Sequence, residues 1–282
     1  MRVVLFGATG MVGHGVLTTL FEDPTVTEIT AIVRRSTGRS HPKLREVIHQ
    51  GFQDLHELES IFAGAHATVF CLGVPSLGLS ELEYTRITRD IAVAAAAAAL
   101  RGNPGSLFVY VSANRADSTS KTMWIRVKGR AEEAIAAIHP RAFFLRPGLI
   151  RPSRGARPST RGQRVVYRIL KPFFPLLARR WPAVVTSTRE MALATLEILH
   201  APETLPRRLG NTAINELAVP GARRPRTEVG VQLGLVPTVD QPLSRSWLTP
   251  PFLSQCSRRR RNDPDVRNDS DVRGCSDRMT SR

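Results

Sequence analysis

The sequence predicts an α/β protein: a doubly wound parallel sheet in a single domain over residues 1–218, followed by a disordered C-terminal tail over 219–282. Three observations predict it. Short apolar runs alternate with helix-patterned stretches as far as residue 150, the signature of a parallel sheet with helices on both faces. The first of these runs opens directly into a glycine-spaced loop. Beyond residue 218 the apolar periodicity gives way to Pro, Arg, Asp and Ser, a composition that buries too little surface to order itself.

The elements follow in order. "RVVLF" (2–6) is the first strand, and "MVGHGVLTTLFED" (11–23) the first helix. "EITAIVRRS" (28–36) reads as the second strand and "REVIHQGF" (45–52) as the third. A helix at "DLHELESIF" (54–62) leads to a fourth strand in "HATVFCLG" (66–73). "SELEYTRITRDIAVAAAAAALRG" (80–102) is strongly helical, because alanine loses no side-chain entropy on entering a helix. "SLFVYVSA" (106–113), "MWIRVKGRAEEAIAAIH" (123–139) and "RAFFLRPGLI" (141–150) give a fifth strand, a helix and a sixth strand. Right-handed crossovers then put the first strand near the sheet centre. After Pro152 the pattern weakens, and "STREMALATLEILH" (187–200), with its Ser/Thr cap, is the last clear helix.

Composition narrows the function classes. Of 282 residues, 42% are hydrophobic, enough for a real core, and three widely spaced cysteines form neither a disulfide framework nor a metal-ligand pattern. Cys71 reads as a small buried thiol. The longest apolar run, 91–100, is about half the length needed to cross a bilayer. The N-terminus lacks a cleavable signal pattern, so the expectation is a cytoplasmic protein. The formal net charge is +16, and no acid occurs between Glu133 and Glu190. That basic stretch (141–189) reads as a solvated or oligomer-facing surface. It also offers an anionic ligand or an anionic membrane surface a weak partner. Prolines and the absence of a reading motif argue against specific nucleic acid.

The glycine loop carries the chemistry. Gly7, Gly10 and Gly13 are spaced G-x-x-G-x-x-G between a strand and a helix, where a tight turn, close backbone approach and helix packing are needed around a pyrophosphate. Gly7, Thr9, Gly10, Met11, Val12 and Gly13 form the candidate phosphate cradle, at the positive end of the following helix. The second strand ends in Arg34 and Arg35, where an NAD-preferring site would carry an acid for the ribose hydroxyls. A guanidinium instead holds the extra phosphate of NADP, by charge-assisted bonds of about 1.5–3 kcal/mol each. At about 1.4 kcal/mol per decade that predicts at least a tenfold preference for NADP(H), with NAD(H) as the second cofactor the loop accepts.

Together with "CLG" (71–73), "VSA" (111–113) and "RVKG" (126–129), these residues resemble the short-chain dehydrogenase/reductase superfamily. The likeness is to its atypical, epimerase-like single-domain members, including the NmrA-like and Tat-interacting-protein-like groups, and it covers residues 1–217. It implies a Rossmann-type fold binding NAD(P)H across the carboxyl ends of the strands. It implies Leu72 and Gly73 along the cofactor, "RPGLI" (146–150) over the nicotinamide end, and an adenine contact from Gly51, Phe52 or Asp54. Catalytic members carry a Ser and a Tyr-x-x-x-Lys pair. Here Ser112 and Lys128 stand in the corresponding positions, but the tyrosine position is Trp124, whose indole donates without titrating usefully. The resemblance gives Lys128 the cofactor ribose, Ser112 a substrate oxygen and Trp124 a positioning role. Tyr110 reads as core; Tyr84 and Tyr167 are more remote substitutes, and Asp117 and Ser118 border the substrate cleft. No metal is expected. The two functions implied are an oxidoreductase or isomerase on a small carbonyl or hydroxyl compound of unknown identity, and a non-catalytic NADP(H)-sensing or assembly protein, with the oligomeric state left open.

Overall fold

The computed structural model describes residues 1–153, 180 and 183–219. Contacts divide the chain into Met1–Val229 and Gly230–Arg282, and everything described lies in the first unit. The expected tail (219–282), apart from Val219, and most of the basic stretch at 141–189 therefore fall outside the described residues, as does Tyr167.

Seven parallel strands form the sheet: β1 (Arg2–Phe6), β2 (Glu28–Val33), β3 (Leu44–Ile48), β4 (Ala67–Phe70), β5 (Leu107–Val111), β6 (Ala142–Arg146) and β9 (Arg208–Gly210). Their order is β3-β2-β1-β4-β5-β6-β9, so the chain winds outward in both directions from β1. β7 (Leu149–Arg151) and β8 (Val185–Ser187) pair with each other in a small second sheet. The helices are α1 (Met11–Glu22), α2 (Glu59–Phe62), α3 (Glu81–Thr85), α4 (Ile91–Gly102), α5 (Met123–Ile138), α6 (Thr188–His200) and α7 (Asn211–Leu217). A π-turn over Arg86–Asp90 joins α3 to α4.

The strands are hydrophobic along their length because both faces are covered. Alternate residues of β1 divide between two cores: Val3 and Leu5 pack with α1 and α6, through Leu17, Leu20, Met191 and Ile198, while Val4 and Phe6 pack with Phe62, Ala95, Ala99 and Ile135 on the other face. Each fully buried side chain of this size contributes about 1.5–3 kcal/mol. The alanine run lets α4 lie close: Ala92, Ala95, Ala96, Ala98 and Ala99 are all buried. α6 opens as its sequence predicts, with Ser187 and Glu190 forming a capping box.

Four expectations change. The stretch read as a sixth strand is two strands, split where Pro147 offers no backbone donor and Gly148 packs on the Val184 carbonyl. The helix at 54–62 is a 3₁₀ turn (His56–Leu58) and the single turn of α2. β8 and β9 were not expected. Neither was α7, the last helix among the described residues.

Candidate nucleotide site

Sheet topology builds a crevice at the carboxyl end of the strands, where β1 is flanked by β2 on one side and β4 on the other. α1 begins there. Its N-cap is Gly10, in extended conformation, with no side chain capping the helix and no acid in the first turn. That leaves the amides and the positive helix end facing the crevice.

Each glycine has its own reason. Gly7 turns through φ +77°, and a Cβ there would lie 2.6 Å from the Leu72 amide nitrogen. A Cβ on Gly13 would collide with the Gly7 carbonyl, so this residue seats α1 against the loop. Gly10 is less constrained, with the Gly7 carbonyl 3.2 Å from a Cβ position.

The crevice has two connected halves. One is lined by Gly7, Thr9, Ile32, Arg34, Phe52 and Ile91, and the other by Met11, Val12, Pro75, Val111, Ser112 and Lys128. Gly10, Cys71, Leu72, Gly73 and Val74 line both and join them. The structure thus brings together the residues singled out in the glycine loop and at 72–73. Gly13 lies buried beneath the cradle, and Phe52, of the three third-strand candidates, is the one on the wall. Arg34 is on the wall at the far end; Arg35 is exposed beside it and does not line either half.

At the other end Lys128 is buried, 8% exposed. Its Nζ donates to the Val111 carbonyl at 2.9 Å and stands 4.6 Å from the Tyr110 ring centroid. Burial pushes this ammonium down to about 8, against the opposing pull of Glu132 and Cys71. Burial likewise pushes the Cys71 thiol up to about 12, partly offset by Lys128, so the sulfur stays protonated. Tyr110 is core, as read from the sequence: fully buried, with its hydroxyl donating to the Thr88 carbonyl at 3.0 Å.

Ser112 is committed to a partner that the sequence did not reveal. Its hydroxyl donates to Glu132 Oε1 at 2.5 Å. Glu132 is 1% exposed and receives Arg146 at 2.6 and 2.9 Å, through Nη2 and Nε, and Arg208 Nε at 3.2 Å. Two guanidiniums bond to it, the pairing that lets such a side chain be buried. One clue was available: Lys128 and Glu132 are spaced i,i+4 on the stripe of α5 that also buries Val127, Ala131 and Ile135.

Trp124 stands apart. It is 38% exposed on the first turn of α5 and is not among the described residues that line either half of the crevice. Asp117 is exposed and bonded to Thr119, while Ser118 bonds Glu133. Tyr84 is buried on α3. Among the described residues no cluster of His, Cys, Asp and Glu could hold a metal ion.

No protein-family model matches the chain. Protein fmp52, mitochondrial, of Emericella nidulans is 32% identical over 179 residues, covering 59% of this chain and 73% of that protein. The chain belongs to the Fmp52 family. A second Fmp52 protein, from Aspergillus clavatus, is 31% identical over 184 residues, covering 61% and 75% of the two chains. The Fmp52 relatives are named as mitochondrial, which overturns the expectation of a cytoplasmic protein. Among solved structures, MoeE5 in complex with UDP-glucose and NAD superposes with a TM-score of 0.56 at 16% identity, over 74% of this chain and 76% of that one. The UDP-glucuronic acid 4-epimerase from Bacillus cereus in complex with NAD gives 0.55 at 12% identity, over 74% and 78%. This Fmp52-family chain thus has the Rossmann-type fold of the epimerase-like short-chain dehydrogenase/reductases.

Proposed function

We propose that this protein binds a nicotinamide dinucleotide, NADP(H) in preference to NAD(H), and acts as an oxidoreductase or isomerase on a small hydroxyl- or carbonyl-bearing compound. The observation that carries the reading is the continuous crevice from Arg34, past the uncapped start of α1, to Lys128 and Ser112. The residues fit the group. Gly7 and Gly10 leave room for a pyrophosphate, Ile32, Phe52 and Ile91 offer an apolar seat for an adenine, and Arg34 offers a guanidinium to a 2′-phosphate. When bound, the nicotinamide supplies hydride transfer. Lys128 would hold the ribose, and Ser112 would meet the substrate oxygen. NAD in the solved structures supports a dinucleotide, and the names of the relatives support a mitochondrial location.

The test is a fluorescence titration with NADPH and with NADH. NADPH is expected to bind at least tenfold more tightly, and Arg34→Ala/Arg35→Ala to erase the difference. Equal binding of both nucleotides would remove the NADP preference, and binding of neither would remove the proposal.

A second reading, a cofactor-sensing protein without turnover, is favoured by Trp124, which puts no titrating group where catalytic relatives of the superfamily carry tyrosine. Trp124→Tyr separates the two. A competent scaffold gains NADPH-dependent carbonyl reduction, whereas a variant that binds NADPH and stays inert supports the sensor.

A further inference from the structure

The turn that follows Arg34 and Arg35 is built to hold an anion, and it holds one of the protein's own. Ser36 Oγ donates to Glu46 Oε2 at 2.6 Å, the separation of a charge-assisted bond. The Thr37 amide donates to Glu46 Oε1 at 2.9 Å, and the Thr37 hydroxyl donates to the same oxygen. Both hydroxyls are fixed in that role from behind: Ser36 Oγ accepts from the Gly38 amide at 3.1 Å, and Thr37 Oγ1 from the Arg39 amide at 3.2 Å. Burial raises the Glu46 carboxyl, but the bonds from Ser36 and Thr37 outweigh it and hold the group below the ordinary carboxylate range. Glu46 reaches the turn from the edge strand β3, where it is in register with Ala31 of β2. Arg34 and Arg35 form no ion pair among the described residues. Glu46 thus takes the neutral donors of the turn and leaves the two guanidiniums open.

We propose that Glu46 sets the nucleotide selectivity of this protein by occupying the turn in place of a 2′-phosphate: it withholds Ser36 and Thr37 from the nucleotide and adds a negative charge to the turn. The inference rests on the reading of the Arg34 end as the seat of the 2′-phosphate. A phosphate arriving there pairs with the guanidiniums but finds the adjacent hydroxyls already donating. The preference for NADP(H) that Arg34 and Arg35 create is therefore held below what the turn could give. NAD(H) carries a hydroxyl at that position and no charge for Glu46 to repel. Selectivity comes from opposed elements, an attractive pair of arginines and a resident competitor. Glu46 acts through Ser36 and Thr37 and is a positioning residue for the turn.

The experiment titrates the full chain with NADPH and with NADH, by nicotinamide fluorescence, in the wild type, Glu46→Gln, Ser36→Ala and the double variant. Glutamine keeps the length and an oxygen for Thr37 but carries no charge. Its amide donates to Ser36, which turns the serine proton towards the nucleotide. Glu46→Gln is expected to tighten NADPH about fivefold or more, the equivalent of one net hydrogen bond, and NADH by less than about twofold. Ser36→Ala alone is expected to leave both affinities near the wild type, because its proton is already committed. Combined with Glu46→Gln it is expected to cancel most of the gain. A Glu46 that only folded the turn would shift both nucleotides together. Glu46→Thr suits an edge strand, also removes the charge, and repeats the test if the glutamine variant melts early by circular dichroism. No NADPH gain in either variant, an equal gain for NADH, or a gain that survives Ser36→Ala in full overturns the proposal. Equal binding of the two nucleotides by the wild type, with the NADPH gain still seen in Glu46→Gln, strikes the NADP preference alone. A clear wild-type preference left unchanged by Glu46→Gln strikes this inference alone, and binding of neither nucleotide by any of the proteins overturns both.

Discussion

His139 ends α5 with neither ring nitrogen hydrogen-bonded and its ring 5.6 Å from that of Phe108. Burial lowers the imidazole from 6.5 to about 4, with Arg141 and Arg207 pushing the same way. A neutral buried histidine sets a sign. Below about pH 6.5 the unfolded chain takes up a proton that the folded chain refuses, so stability falls as the pH drops from 6.5 towards 4. The slope approaches about 1.4 kcal/mol per pH unit. His139→Leu removes the group at similar volume and is expected to flatten that part of the curve, read from urea midpoints at pH 7, 5.5 and 4.5. At this scale some roles were legible and others not. Gly7 and Tyr110 announced themselves by spacing and by alternation along a strand. His139 gave no signal, because one histidine at a helix end looks the same whether solvent or a phenylalanine ring lies beside it.

Helix packing depends on residues that are small where two backbones approach. Gly15 of α1 faces α6, and a Cβ there would lie 2.8 Å from the Thr188 carbonyl. Gly15→Val is expected to destabilise the fold by about 1–3 kcal/mol through overpacking, measurable as a lowered melting temperature, while leaving the crevice residues themselves unchanged. Elements with long periodic patterns were readable without the structure: α1, α5, α6, and the helical run at 80–102, interrupted only by its π-turn. The short ones were not. β8 and β9 have three residues each, too few for an alternation to declare itself, and α2 is a single turn. The end of β6 was misread because "RPGLI" keeps its apolar character through a break that hydrogen bonding, not hydropathy, imposes.

Across the whole molecule Glu132 ties α5 to three strands: Ser112 at the end of β5, Arg146 of β6 and Arg208 of β9. Glu132→Ala leaves two guanidiniums without their counter-charge and is expected to cost about 3–5 kcal/mol, read from urea unfolding. This cluster was the least legible part of the candidate site. Its members stand 14, 20 and 76 residues from Glu132 in the chain, and no local spacing encodes such a meeting. The glycine loop was legible for the opposite reason, since strand, turn and helix follow one another directly. The same separations order events on the ribosome. Arg146 follows Glu132 almost at once, but Arg208 emerges seconds later at ordinary translation rates. Until then the carboxylate has one guanidinium and an open flank at the edge of β6. A nascent chain paused before β9 therefore carries Glu132 with one of its two guanidinium partners missing, and the Ser112–Glu132 end of the crevice gains its full set of partners only once Arg208 has left the exit tunnel.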